Sequence, residues 1–108
     1  MFRRMYVFSL LGIGMLVVGV LAAGQPQVVT QKDKTFSVAD LTITQGETVI
    51  FKNEDDVAHN VFSQTPGLEF NTKTQAPGTE SPVTFNKPGT AEVRCAIHPK
   101  MKTLIHVQ

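Results

Sequence analysis

Cysteine and aromatic residues are scarce in this sequence. Its 108 residues include one Cys, no Trp and a single Tyr, Tyr6. One cysteine, Cys95, excludes an internal disulfide. A free reactive thiol is a liability in an oxidising compartment, so Cys95 is either buried and inert or protected by a bond to a metal ion.

An excess of charge of one sign is also missing. Ten Lys and Arg residues face nine Asp and Glu residues, which gives a net charge of +1. Arg3 and Arg4 account for two of the basic residues, so residues 25–108 carry eight basic against nine acidic residues, or −1. This balance excludes the basic footprint of a nucleic-acid-binding protein. The length is that of one domain with a modest core.

Residues 1–24 have the features of a targeting segment. Arg3 and Arg4 form a short positive region, and residues 5–23 are apolar apart from Ser9 and three glycines. Ala22-Ala23-Gly24 then offers small residues to signal peptidase. The apolar run, about 19 residues long, is close to the minimum for a membrane span. We therefore expect a signal peptide or, if cleavage fails, a membrane anchor formed by residues 5–23. In both cases the domain at 25–108 lies outside the cytoplasm, for example in the periplasm.

Alternation of apolar and polar residues predicts β-strands after Gln25. The pattern is clear in the run Leu41-Thr42-Ile43-Thr44 and again from Ala91 to Cys95, and no window has a helical stripe. Gln45-Gly46 is typical of a hairpin turn, and Pro-Gly pairs at 66–67, 77–78 and 88–89 indicate further turns. About seven short strands in this length predict an all-β fold, a small antiparallel sandwich. Residues 63–82 have few core residues and are expected to be mostly loop.

The stretch from Cys95 to Met101 brings three metal-binding side chains into one loop. Cys95, His98 and Met101 have the spacing Cys-x2-His-x2-Met, and outside residues 1–24 the chain has no other Cys or Met. Thiolate and thioether select soft or borderline metals, and imidazole suits copper and zinc. One Cys, two His and a weak axial Met form the ligand set of a blue-copper electron-transfer site. The loop supplies three of these four ligands.

Two histidines remain as candidates for the fourth ligand. His106 is five residues beyond Met101 on an extended segment, about 16 Å away at roughly 3.3 Å per residue. Its parity opposes that of Ile105 and Val107, so we expect a solvated surface side chain. His59 follows a polar turn and opens the run His59-Asn60-Val61. By elimination, His59 completes the set.

These residues resemble the cupredoxins, specifically the plastocyanin/amicyanin group. The resemblance covers about residues 28–108, and the ligand spacing with Pro99 is similar to the short amicyanin-type loop. It implies a Greek-key sandwich that holds one copper ion near one end. The residues that carry the resemblance are Asn53, His59-Asn60-Val61, Pro88-Gly89 and Cys95-x2-His98-Pro99-x-Met101.

The resemblance also implies roles around the metal. The four ligands would be His59, Cys95, His98 and Met101, with Asn60 supporting the cysteine loop through hydrogen bonds. His98 would be the ligand whose edge meets solvent and passes electrons. Cupredoxins often have Thr or Ser after the cysteine, whereas this chain has Ala96, so one hydroxyl beside the site is missing. Independently of the family, Pro99 disfavours the helical region for the residue before it and so holds the loop extended.

The function expected from these residues is single-electron transfer between extracytoplasmic redox proteins, without catalysis. The donor and acceptor are unknown, and a c-type cytochrome or a dehydrogenase would suit the role. We expect a monomer that binds no nucleic acid and contacts a membrane only if the leader is uncleaved. Lys100 and Lys102, with Arg94 as a third charge, would attract an acidic partner to the electron port.

Three other functions use the same residues. A copper-storage or delivery module would hold exchangeable Cu(I) without a redox role. Structural zinc also takes Cys and His, but Met is a poor zinc ligand. A Cys-His hydrolase would need an orienting residue and a substrate cleft, neither of which the pattern indicates.

Overall fold

The computed structural model describes residues 24–108, so the leader predicted at 1–24 lies, except for Gly24, outside the described residues. Within this range the chain forms nine strands and no helix, and therefore no helix that is long and apolar enough to cross a membrane. The strands are β1 (Gln27–Lys32), β2 (Thr35–Phe36), β3 (Asp40–Ile43), β4 (Thr48–Asn53), β5 (Val61–Ser63), β6 (Phe70–Asn71), β7 (Glu80–Thr84), β8 (Gly89–Cys95) and β9 (Lys102–Val107).

The strands form two sheets, which confirms the all-β sandwich. One sheet has the order β2-β1-β4-β7 and the other the order β3-β9-β8-β5-β6. Most neighbours are antiparallel, but β1 pairs with β4 and β3 pairs with β9 in parallel. Neither parallel pair consists of consecutive strands, and strands joined by a long connection are free to run in the same direction. The fold is thus a mixed sandwich with mainly antiparallel pairing.

Alternating side chains of both sheets meet in one core, as the period-two pattern predicts. Val49 and Phe51 of β4 are fully buried, as are Val93 of β8 and Ile105 of β9. The Phe51 ring stacks on Phe70 with 5.6 Å between the centroids. Burial of such side chains contributes about 1.5–3 kcal/mol each relative to exposure. This core holds the ends of β5 and β8 in a fixed relation to each other.

The turn at Gln45-Gly46 differs from its prediction. Gly46 has a φ of +90°, as a tight turn requires, but β3 and β4 on either side belong to different sheets. The turn carries the chain across the sandwich, so the hairpin prediction was wrong. The pattern of turn residues fixes a reversal of the chain but not whether the flanking strands pair.

The segment from Ser63 to Pro82 is mostly loop, as expected. It contains only the end of β5, the two-residue strand β6 and the start of β7. Gln75, in the middle of this loop, forms an isolated antiparallel bridge with His59. His59 N–H donates to the Gln75 carbonyl at 3.1 Å, and Gln75 N–H donates to the His59 carbonyl at 2.7 Å. The loop therefore fixes the backbone of a predicted metal ligand.

Candidate metal centre

The predicted ligands meet at one end of the sandwich. Cys95 is the last residue of β8, and His59 precedes β5 by two residues. Because β5 and β8 are antiparallel neighbours with Val61 opposite Cys95, residues 36 positions apart in sequence come together. His98 returns to the same place from the loop between β8 and β9.

Three ligand atoms converge there with the spacing of a metal site. His59 Nδ1 is 3.5 Å from Cys95 Sγ and 3.2 Å from His98 Nδ1, and Cys95 Sγ is 3.9 Å from His98 Nδ1. Ligands bonded to one ion at about 2.0 Å for nitrogen and 2.3 Å for sulfur lie about 3.3–3.7 Å apart. Among residues 24–108, these three form the one cluster of His, Cys, Asp or Glu with ligand atoms within 4.8 Å of one another. The donor set and its dimensions fit a single metal ion.

Burial distinguishes the two histidines. His59 is completely buried and Cys95 is 1% exposed, whereas His98 is half-buried. Beside it, Ile97 is 47% exposed, which is unusual for a large apolar side chain. Of the three cluster residues, His98 is therefore the one that solvent reaches.

A carboxylate orients the His59 ring. Asp55 Oδ2 is 2.9 Å from His59 Nε2 and also accepts the Lys34 backbone N–H at 2.8 Å. The Lys34 N–H, followed by the bond from His59, lowers the pKa of Asp55 to about 2. An ionised carboxylate accepts a hydrogen bond from the Nε2–H, and in this tautomer the Nδ1 lone pair is free for a metal ion. In the sequence, Asp55 belongs to the polar turn that precedes His59, and no pattern marks it as the partner of the ring.

Backbone groups of Asn60 hold the cysteine. Asn60 N–H donates to Cys95 Sγ at 3.3 Å, and the Asn60 carbonyl accepts the Ala96 N–H at 2.8 Å. The side-chain Oδ1 of Asn60 is buried without a hydrogen-bond partner. A hydroxyl-bearing residue at position 96 is what the resemblance leads one to expect there, and Ala96 lacks it.

The loop between β8 and β9 ends at Met101, which is 3% exposed. Met101 N–H donates to the His98 carbonyl at 3.0 Å and closes the loop, one residue before β9 begins. Arg94 Nη1 donates to the Pro99 carbonyl at 3.2 Å. The thioether thus lies in the interior, in a loop that is braced from β8.

His106 is engaged elsewhere, on β9. Its Nε2 is 2.8 Å from Asp40 Oδ1 and its Nδ1 is 3.0 Å from Thr90 Oγ1. The side chain is 36% exposed. It is a surface residue with polar partners and does not join the cluster.

Residues 25–108 match the family described as copper binding proteins, plastocyanin/azurin family. The chain belongs to this family of copper-binding cupredoxins. Membership decides between copper and zinc: the cofactor is one copper ion, and His59, Cys95 and His98 are positioned for that single site. No curated protein sequence matches the chain.

Solved structures give the same fold. A copper-containing nitrite reductase from Thermus scotoductus SA-01 is 32% identical with a TM-score of 0.71, over 78% of this cupredoxin and 22% of the reductase. The cupredoxin thus spans about a fifth of that chain. A purple cupredoxin from Nitrosopumilus maritimus is 24% identical (TM-score 0.68; 76% of this chain, 99% of that one). A Cu(I) form of an amicyanin variant is 22% identical (TM-score 0.72; 82% and 88%).

Proposed function

We propose that this cupredoxin is a mononuclear type 1 copper electron carrier, with His59, Cys95, His98 and Met101 as its ligands. The observation that carries the proposal is the cluster of three ligand atoms, assembled on a rigid frame and open to solvent only beside His98. Bound copper would supply a one-electron couple. We propose no catalytic turnover.

The chain's contribution to electron transfer is a ligand set that does not have to move. Cys95 is fixed by the end of β8 and by the Asn60 N–H, and the bridge to Gln75 fixes the backbone of His59. Pro99 restricts the backbone of His98, and the Met101 N–H donates a hydrogen bond to the His98 carbonyl. Electron transfer is fast when oxidation and reduction require little rearrangement of the ligands, and a braced loop meets this condition.

Half-burial of His98 makes its ring the expected port for electrons. The other ring, that of His59, is shielded by the sandwich. Exposed Ile97 beside the port offers an apolar contact to a partner. Because the chain resembles part of a copper-containing nitrite reductase, we add copper enzymes to the c-type cytochromes and dehydrogenases considered above as redox partners. We also propose that the leader is cleaved, that the domain is exported and that it is a monomer.

The decisive experiment is a visible absorption spectrum of the copper-loaded domain. A Cu(II) ion bound to the Cys95 thiolate should give an intense charge-transfer band, which Cys95→Ser abolishes. Because residues 25–108 contain no Trp and no Tyr, absorbance near 280 nm should be low beside this band. His59→Ala should weaken copper binding, whereas the matched control His106→Ala should leave the spectrum unchanged. A colourless Cu(II) protein would refute the proposal.

Copper delivery is the second candidate, because the solvent-facing His98 would also give a copper acceptor access to the ion. The two functions differ in copper retention. An electron carrier keeps Cu(I) against a competing chelator over many cycles of oxidation and reduction, whereas a delivery module releases Cu(I) to it within the time of one encounter. The dissociation rate of Cu(I) therefore separates them.

A further inference from the structure

One oxygen of Asp55 links a predicted copper ligand to a distant turn. Oδ2 lies 2.9 Å from His59 Nε2 and 2.8 Å from the Lys34 backbone nitrogen, and the Asp55 side chain is 7% exposed. A carboxylate this well enclosed is held by its hydrogen bonds and not by solvent. Its orientation therefore depends on both partners.

The turn that supplies the Lys34 N–H has an uncommon backbone. Asp33 and Lys34 connect the antiparallel strands β1 and β2 and have φ values of 52° and 57°. A two-residue hairpin loop with both φ positive favours Asn-Gly, and neither residue here is glycine. Left-handed conformations of such residues persist where the surroundings hold them. The bond from Lys34 N–H to Asp55 is one contact that does so.

Asp55 is also fixed from its own side of the chain. Its N–H donates to Asn53 Oδ1 at 2.9 Å, and the Asn53 side chain is buried and donates to the carbonyls of Val57 and Gln75. The loop between β4 and β5 is thereby closed around the carboxylate. The result is a rigid path from the β1–β2 turn through Asp55 to the His59 ring.

We propose that Asp55, clamped by the turn at Asp33-Lys34, is a positioning residue that sets the tautomer of His59 and lowers the reduction potential of the copper site. Only the second part of this inference, the effect on the reduction potential, rests on the proposed electron-carrier function. The carboxylate fixes the proton on Nε2 and makes Nδ1 a better donor. Its negative charge close to the ligand ring favours Cu(II) over Cu(I).

Nitrogen-15 NMR of the metal-free domain tests the first half without copper. His59 in the wild type should be the Nε2–H tautomer, with a slowly exchanging ring proton. Asp55→Asn should shift this signal or mix the tautomers, whereas Asp56→Asn, which removes an exposed carboxylate from the neighbouring position, should not. A wild-type His59 protonated on Nδ1 alone would overturn the inference even if the copper protein is blue.

The reduction potential tests the second half. Loss of a hydrogen bond to a ligating histidine lowers metal affinity about 10- to 100-fold. We expect Asp55→Asn to weaken Cu(II) about tenfold relative to Cu(I), which raises the potential by about 59 mV for a one-electron couple. Asp56→Asn, which removes an exposed carboxylate that does not contact the ring, should leave the potential unchanged. Equal shifts of the potential in the two Asn variants would show that Asp55 acts only through its charge. A change in the unfolding temperature of Asp55→Asn without a change in its potential would show that Asp55 is only a structural group.

Discussion

At the scale of single residues, Met101 is the proposed ligand that lies outside the cluster of His59, Cys95 and His98. It is buried at the end of a braced loop, and copper sites of this type use a long axial thioether. Met101→Gln should keep copper bound but lower the reduction potential, because a harder oxygen ligand favours Cu(II). Voltammetry of the two proteins measures this. An unchanged potential and spectrum would remove Met101 from the ligand set.

The buried Oδ1 of Asn60 is a second residue-scale feature, because an unpaired buried acceptor costs about 1–3 kcal/mol. Ala96→Ser restores the hydroxyl that the family resemblance predicts and should increase the free energy of unfolding by about 1 kcal/mol. Chemical denaturation of the metal-free domain measures the change. Ala76→Ser, in an exposed loop, is the control. Equal effects of the two substitutions would mean that the hydroxyl does not reach Asn60.

Sequence could predict the residues of the site that share one loop, since Cys95, His98 and Met101 have a characteristic spacing. His59 followed by elimination, because only one other histidine was available. Asp55 could not be predicted as its partner. Its carboxylate gains that role from the backbone of Lys34, 21 residues away, and a turn with two positive φ values was not evident from Asp33-Lys34.

At the scale of strands and turns, alternation predicted which side chains face the core, because side chains in a strand point to opposite faces in turn. It could not predict which strands pair. The parallel pairs β1–β4 and β3–β9 and the crossing at Gln45-Gly46 depend on how the two sheets share the core. That is a property of the whole sandwich and not of any one strand.

The contact between the β1–β2 turn and Asp55 predicts a pH dependence of stability. The pKa of Asp55 is about 2 in the folded protein and 3.8 for an unperturbed side chain, so the folded state favours the ionised form. Its contribution to the free energy of unfolding is complete above about pH 4 and is lost as the pH falls towards 2. Asp55→Asn should flatten the stability of the metal-free domain across this range. Denaturation at several pH values tests this, and parallel curves for wild type and variant would contradict it.

At the scale of the whole molecule, the described domain is an almost neutral sandwich with its candidate metal centre at one end. The leader predicted at 1–24 would deliver it across the membrane, and N-terminal sequencing of exported protein should find the mature chain starting near Gln25. An intact Met1 in the membrane fraction would instead favour the anchored form. In either form, we propose the His98 edge as the contact surface for an extracytoplasmic partner.

Positive charge near that edge is less than the sequence indicated. Glu92 Oε2 lies 3.1 Å from Arg94 Nη2 and 3.9 Å from Lys102 Nζ, so it offsets part of their charge. Lys34 and Lys100, however, line a groove beside Met101 together with Lys102. These lysines therefore place a positive field beside the ligand loop.

This field should govern how fast charged redox reagents react with the site. Ferricyanide, an anion, should react more slowly as ionic strength rises, and a cationic ruthenium hexaammine should react faster, because salt screens attraction and repulsion alike. Lys100→Glu should reduce the ferricyanide rate several-fold at low salt without changing the spectrum. Lys87→Glu is the matched control, since Lys87 precedes β8, and the six residue steps of β8 from Gly89 to Cys95 span about 20 Å at roughly 3.3 Å per residue. Stopped-flow rates that are independent of salt, or equal in the two variants, would show that docking at His98 relies on apolar contact with Ile97 and not on charge.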